Sequence, residues 1–245
     1  MSSQLALAQS QHITSDEEPK TLVELAYRQL RKDIVEGRLL PGERLRVEHI
    51  KGKYNVSAGT LREALALLVA DALVVVRGQR GVHVAPISLR DIEDITRTRV
   101  LLETEALRQS LRAGDDDWEA QLLTAFHHLT RAEARLTANP DAGVGEWEER
   151  NRQFHRALIS AGPSHWIRHC LAILFRQSER YRRLNISTSP APRDVHAEHQ
   201  AIFEAALARD EDLAAALLTD HIHVTFEKLR SLPTEFFSES EPAGN

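Results

Sequence analysis

Apolar residues recur at helical spacing through most of the chain. Leu22, Leu25, Ala26, Leu30, Ile34 and Val35 share one face of a helix that Gly37 ends. LLPGERL follows as a turn punctuated by Pro41-Gly42. The pattern then predicts a short helix around Val47–Tyr54 and a second over Ser57–Ala70, with Ser57 as its N-cap. In LVVVRGQRGVHVAP two β-branched runs flank a Gly-rich basic tip, which predicts a hairpin. Helix, short helix, turn, helix and hairpin in this order outline a winged helix-turn-helix, whose last helix enters the DNA major groove.

Pro86 closes that unit. Beyond it the periodicity predicts helices over 88–113, 115–138, 142–161, 164–184, 192–208 and 210–231. They are broken at Gly114, Asn139-Pro140, Gly162-Pro163, Ser189-Pro190-Ala191-Pro192 and Pro233. Long amphipathic helices joined by short loops predict an antiparallel six-helix bundle, so the fold class is mostly α. Residues 1–19 and 233–245 are expected to be tails, the first of them disordered. The domains are then 20–86 for the winged helix-turn-helix and 87–232 for the bundle.

Composition narrows the functional classes. With 42% apolar and 27% charged residues, the 245-residue chain is globular and not wholly disordered. Its one cysteine, Cys170, excludes a disulfide framework and a Cys-based zinc site, and is expected in the core. No run approaches a membrane span and no basic-apolar leader opens the chain, so a cytoplasmic protein without a membrane partner is expected. Charge is segregated: −3 over residues 1–19, +5 over 20–86 and −7 over 87–245. A basic unit joined to a larger acidic one suggests that the first meets a polyanion.

The segments PGERL, VSAGTLREAL and RGQRGVHVAP resemble the GntR family of bacterial transcriptional regulators. RVLLE, NRQFHRAL, HAEHQAIFEAALARD and LLTDHI resemble the FadR-type ligand-binding (FCD) domain, so the likeness covers about residues 20–231 in order. GDDDWEAQL, GPSHW and FRQSERYR resemble the carbon-starvation-induced branch, whose relatives control γ-aminobutyrate and glutarate catabolism. The resemblance implies a dimeric repressor, not an enzyme, on a palindromic double-stranded DNA operator under the control of a small organic acid.

A recognition helix needs small or polar side chains on its first turn for base edges, and Arg or hydroxyls for phosphates. Ser57, Ala58, Gly59, Thr60 and Arg62 open this helix, while Leu61, Ala64, Leu65 and Leu68 face inward. By resemblance Thr60 and Arg62 contact DNA, and Gly81 lies at the wing tip near the minor groove. Many relatives carry Arg-Thr where this chain has Ala58 and Gly59. Either Arg46, Lys51, Lys53 and Arg80 take over the reading, or specificity rests on DNA shape. The bland alternatives are a salt bridge from Arg62 to Glu63 or Glu48, and a solvated turn for Arg77 and Arg80.

Histidines fall on the apolar stripes of three bundle helices. Trp147, Asn151, Phe154, His155, Leu158 and Ile159 form one; Val195, His199, Ile202, Phe203 and Ala206 the next; Ala214, Leu217, His221, Val224 and Leu229 the third. His196 lies one position off its stripe, and His223 shares a solvated face with Asp220 and Glu227. Each histidine alone reads as a core residue; three together read as metal ligands. The resemblance implies a divalent metal held by an Asp four residues before a His and by two later His. Here those positions are Asn151, His155, His199 and His221, a donor set that suits zinc, nickel or manganese. Asn in place of Asp removes one negative charge.

Arg99 shares the stripe Ile92, Ile95, Leu102 and Ala106, so it points inward and requires an anion. That anion is either Glu103, four residues on, or the carboxylate of a small effector, the role the resemblance implies. Arg180 and Gln177, near the stripe Trp166, Cys170, Ile173 and Tyr181, are expected to reach the same pocket, or else Arg176, Arg180 and Arg183 form a solvated row. A short dicarboxylate such as glutarate would satisfy both arginines. Two competing readings are a pure metal sensor and a three-His metal-dependent hydrolase, for which no carboxylate base is evident.

Overall fold

A computed structural model describes residues 18–188, 194–232 and Phe237. The expected tails, apart from residues 18 and 19 and Phe237, and the break at Ser189–Pro192 lie outside the described residues. The chain divides into two compact units at Ala85–Pro86.

In the first unit, α1 (Leu22–Val35) starts at Thr21, whose side chain accepts from the Glu24 N–H. Next comes α2, limited to Val47–Ile50. The sequence suggested a helix reaching Tyr54, but residues 51–55 form turns, with Asn55 left-handed at φ 52°. Helix α3 (Ala58–Ala70) is capped by Ser57. The hairpin pairs β1 (Val74–Val76) with β2 (Val82–Val84), Val74 opposite Val84, across a 3-10 turn at Gly78–Arg80.

PGERL does more than turn. Leu45 N–H donates to Val82 O at 2.8 Å and Val84 N–H to Glu43 O at 2.9 Å, so the segment flanks the hairpin as a third extended piece. Leu30, Leu61, Leu68, Leu73 and Val84 are buried together beneath it. The buried Asp33 on α1 accepts from the Tyr54 hydroxyl at 2.8 Å and pairs with Lys53 and Arg38, each at 2.7 Å. That cluster ties α1 to the turn before α3.

The second unit contains α4 (Leu89–Ala113), α5 (Asp116–Ala138), α6 (Pro140–Leu158), α7 (His165–Thr188), α8 (Val195–Leu207) and α9 (Glu211–Arg230). Trp118, Leu122, Leu129, Phe154, Leu158, Leu171, Ile202 and Leu218 form its main core. Helices α5 and α6 approach so closely that a Cβ on Gly143 would lie 2.8 Å from the Leu136 Cα. A smaller cluster joins Ile87, Ile92, Ile95 and Leu229 to Tyr181, whose hydroxyl donates to Asp91 at 2.7 Å. Among the described residues no helix is long and apolar enough to cross a membrane.

Helix α7 turns differently from the stripe read in the sequence. Trp166 is 62% exposed and Cys170 is exposed, so Cys170 is not core. The buried face is instead Leu171, Phe175, Ser178 and Tyr181, because Ile167 and Leu171 carry the apolar surface at its start. Arg180 is buried, not solvated. On α9, Val224 is 37% exposed, and Leu218 and Ile222 flank the buried His221.

Candidate DNA-binding face and candidate metal centre

The first turn of α3 carries the sequence-predicted DNA contacts. The exposed Ser57 accepts from Thr60 N–H at 3.1 Å, and the Ser57 and Thr60 hydroxyls are 2.9 Å apart. Capping therefore already occupies one acceptor site of Ser57. Arg62 is exposed and its charge helps lower the Glu48 carboxyl pKa, while Glu48 itself pairs with Lys51 at 2.5 Å. Lys53 is tied to Asp33, so neither lysine is an unengaged substitute for the absent recognition arginine. Arg46 is exposed at the N-cap of α2.

At the hairpin tip Arg77 and Arg80 are exposed, and Gly81 takes φ 86°, a region that favours glycine. The sequence reading overlooked Arg44. Its backbone bridges to His83, and a Cβ on Gly81 would lie 3.5 Å from its Nε. The motif PGERL held the signal, since pairing it with β2 puts its arginine beside the wing.

In the second unit His155, His199 and His221 converge, their candidate ligand atoms all within 4.8 Å of one another. Three nitrogens each about 2.1 Å from one zinc are at most about 3.6 Å apart, so closing around an ion needs each ring to move inward by up to about 0.7 Å. All three residues are buried. Nδ1 of His199 meets Glu133 at 2.6 Å and Nδ1 of His221 meets Glu198 at 2.8 Å. Carboxylates at Nδ1 fix the tautomer that leaves Nε2 as a lone-pair donor.

The buried Nε2 of His199 has no protein hydrogen-bond partner, as expected for a nitrogen that serves as a metal ligand. Burial drives the His155 pKa down to about 4 against the opposing pull of Glu103, so the ring is a neutral donor at pH 7. Asn151, also buried, lies one turn before His155 on α6. The donor chemistry and the orphaned nitrogen fit a divalent ion.

Arg99 is buried and donates from Nε to Glu103 at 2.6 Å, with its guanidinium carbon 5.2 Å from the Phe175 ring centroid. The intrahelical pair weighed in the sequence is therefore formed. Burial pushes the Glu103 carboxyl up, but Arg99 and His155 outweigh it and hold it below its ordinary value. Arg180 is 3% exposed, contacts Gln177 at 3.5 Å, and has its pKa lowered by burial.

Three glutamates, Glu133, Glu198 and Glu148, escaped the sequence reading, as did the approach of Glu103 to His155. Glu133 also meets His196 at 2.8 Å, so the partly exposed, off-stripe histidine shares the carboxylate that holds His199. Glu103 and Glu198 complete the surroundings of the histidines. Buried Glu148 is held by Arg182 at 2.8 Å, and burial raises its pKa. Glu133 and Glu148 lie on the apolar stripes of α5 and α6, and a carboxylate on such a stripe demands a partner.

Residues 22–84 match the gntR family of bacterial regulatory proteins, and residues 94–224 match the FCD domain. The chain is 47% identical over 211 residues to the HTH-type transcriptional regulator BphR of Paraburkholderia xenovorans (strain LB400), covering 86% of each chain. It is 34% identical over 200 residues to the HTH-type transcriptional repressor GlaR of Escherichia coli (strain K12), covering 80% of this chain and 90% of that one. The solved structure of E. coli McbR/YncC shares the fold at a TM-score of 0.69 and 19% identity, covering 86% of this chain and 97% of that chain. These relatives are regulators, and the hydrolase reading falls with them. The chain belongs to the GntR family of bacterial transcriptional regulators, as a DNA-binding member with an FCD domain.

Proposed function

We propose that this regulator is a homodimeric, cytoplasmic repressor whose grip on a palindromic operator is set by a small carboxylate bound beside a divalent metal. The observation that carries the reading is the convergence of three buried histidines within the FCD domain, one of them with an orphaned Nε2. His155, His199 and His221 would hold the ion, with Asn151 as the oxygen donor. The ion, whether zinc, nickel or manganese, would supply a positive centre for an anionic effector. Arg99, paired with Glu103, and Arg180 are buried cations among the described residues that such an anion would engage. The likeness of GDDDWEAQL, GPSHW and FRQSERYR to the carbon-starvation branch favours a short dicarboxylate such as glutarate.

On the DNA side Ser57 and Thr60 would meet base edges, Arg46 and Arg62 phosphates, and Arg80 with Gly81 the minor groove. The family relatives that carry the word repressor support the sign of regulation. The two-domain division at Ala85–Pro86 supports separate DNA-binding (20–86) and effector (87–232) domains.

Elemental analysis of purified protein should find up to one divalent ion per chain, lost in His199→Ala. Wild type should also be thermally stabilised by that ion, because a ligand of the folded state alone stabilises it by mass action. No ion, together with no thermal shift on adding zinc, nickel or manganese, rejects the metal. Gel-shift titrations with metal alone and with metal plus dicarboxylate then separate this reading from a pure metal sensor. The latter draws support from the Arg99–Glu103 pair, which satisfies Arg99 without an effector.

A further inference from the structure

The three histidines are not held alike. Nδ1 of His199 and of His221 meet carboxylates at 2.6 and 2.8 Å. Nδ1 of His155 is buried without a hydrogen-bond partner, and Oε2 of Glu103 stops 3.6 Å away. The cause is Arg99, whose Nε lies 2.6 Å from the other oxygen of that carboxylate. Glu103 is 1% exposed, so water cannot relieve it and its two oxygens are divided between Arg99 and His155. The fully charged guanidinium takes the short contact. Phe175 packs against both claimants, with its ring centroid 5.2 Å from the Arg99 guanidinium carbon and 6.1 Å from the His155 ring.

We propose that Glu103 is a positioning residue that couples an anion at Arg99 to a metal at the three histidines. The inference rests on the metal-and-carboxylate reading above. A carboxylate ligand that pairs with Arg99 satisfies the guanidinium and releases Glu103. Oε2 then closes onto the Nδ1–H of His155, to a hydrogen bond of about 2.8 Å. That contact aims Nε2 of His155 inward and raises its basicity, as Glu133 and Glu198 do for the other two rings. Metal affinity rises with the anion bound, and the anion binds more tightly to the metal-loaded protein by the same factor. With the anion absent, Arg99 keeps the third histidine only half supported.

A four-variant cycle tests this without any effector. Zinc affinity is measured by competition with a chelating dye on full-length wild type, Arg99→Met, Glu103→Gln and the double variant. Freeing Glu103 by Arg99→Met should tighten zinc about tenfold, within the range known for such outer partners of metal-bound histidine. In the Glu103→Gln background the same substitution should give much less. Equal tightening in both backgrounds means that Arg99 acts on the ion through space and overturns the proposal, as does no tightening at all. Thermal melts check folding, and Arg99→Gln replaces Arg99→Met if that variant does not fold.

A second arm uses glutarate and succinate. Saturating dicarboxylate should tighten zinc about tenfold more in wild type than in Glu103→Gln, where only the direct attraction between acid and ion remains. If calorimetry finds that neither acid binds, the dicarboxylate part of the proposed function fails, while the variant cycle still decides the role of Glu103. Zinc binding to no variant overturns both.

Discussion

Nδ1 of His199 lies 2.6 Å from Oε1 of Glu133, which joins a fully buried ring on α8 to a carboxylate on α5. The other oxygen of Glu133 holds His196 at 2.8 Å. Glu133→Gln keeps the shape but removes the charge, and an amide cannot accept from both rings through its nitrogen. We expect zinc affinity to fall by at least about tenfold, while the melting temperature of the metal-free protein changes little. An unaltered affinity by dye competition would show that the contact is packing alone.

Asn151 offers the complementary test. It is buried one turn before His155, where a charged oxygen ligand would add a negative charge to a site of neutral donors. Asn151→Asp should tighten the metal, read by the same competition. Weaker binding in that variant would mean the side chain does not face the ion.

On the DNA side, Arg62 is exposed on the first turn of α3. If it clamps a phosphate, Arg62→Ala should weaken binding to all duplexes alike and lower the salt slope by about one unit. Thr60→Ala should instead change the preference among operator variants. Uniform loss across the variants would remove Thr60 from base reading.

Asp33 links stability of the DNA-binding unit to pH. Burial alone would raise its carboxyl, but hydrogen bonds from Lys53, Tyr54 and Arg38 prevail and hold it below the ordinary value of 3.8. Because the folded pKa is the lower one, the contribution is present at pH above the unfolded value and is lost as pH falls through the folded value. Asp33→Asn should cost about 2 kcal/mol at neutral pH. Hydrogen exchange across α1 and α3 should show wild type converging on the variant in acid. Protection that stays separate at low pH would locate the effect elsewhere.

Much of this architecture is written in local pattern. The helices α4 to α9 follow from apolar spacing and Gly or Pro breaks, and Ser57 caps α3 as its position suggests. His155, His199 and His221 come together because each lies on an apolar stripe, and stripes of neighbouring helices face one core. What could not be read was rotation and pairing. On α7 two overlapping stripes compete, and tertiary packing chose Leu171 and Phe175 over Trp166 and Cys170. The partners Glu133, Glu198 and Glu148 are contributed by other helices or by residues the stripe reading passed over, and no spacing rule links them to the groups they hold. Arg99 shows the limit most clearly: periodicity buries it, but spacing alone leaves open whether Glu103 or a ligand meets it, and in the folded chain Glu103 does.

The paired hydroxyls of Ser57 and Thr60 have a consequence for recognition. At 2.9 Å the two oxygens share one hydrogen, and either can be the donor. Whichever gives its proton to the other, one hydroxyl proton is left pointing elsewhere. The opening turn of α3 thus offers a single mobile donor, not two fixed ones. It can follow an acceptor on either side by exchanging which oxygen donates, at the cost of two hydroxyl rotations and no backbone movement. If this turn meets a duplex as proposed, such a surface would tolerate small changes in register while still demanding an acceptor opposite it.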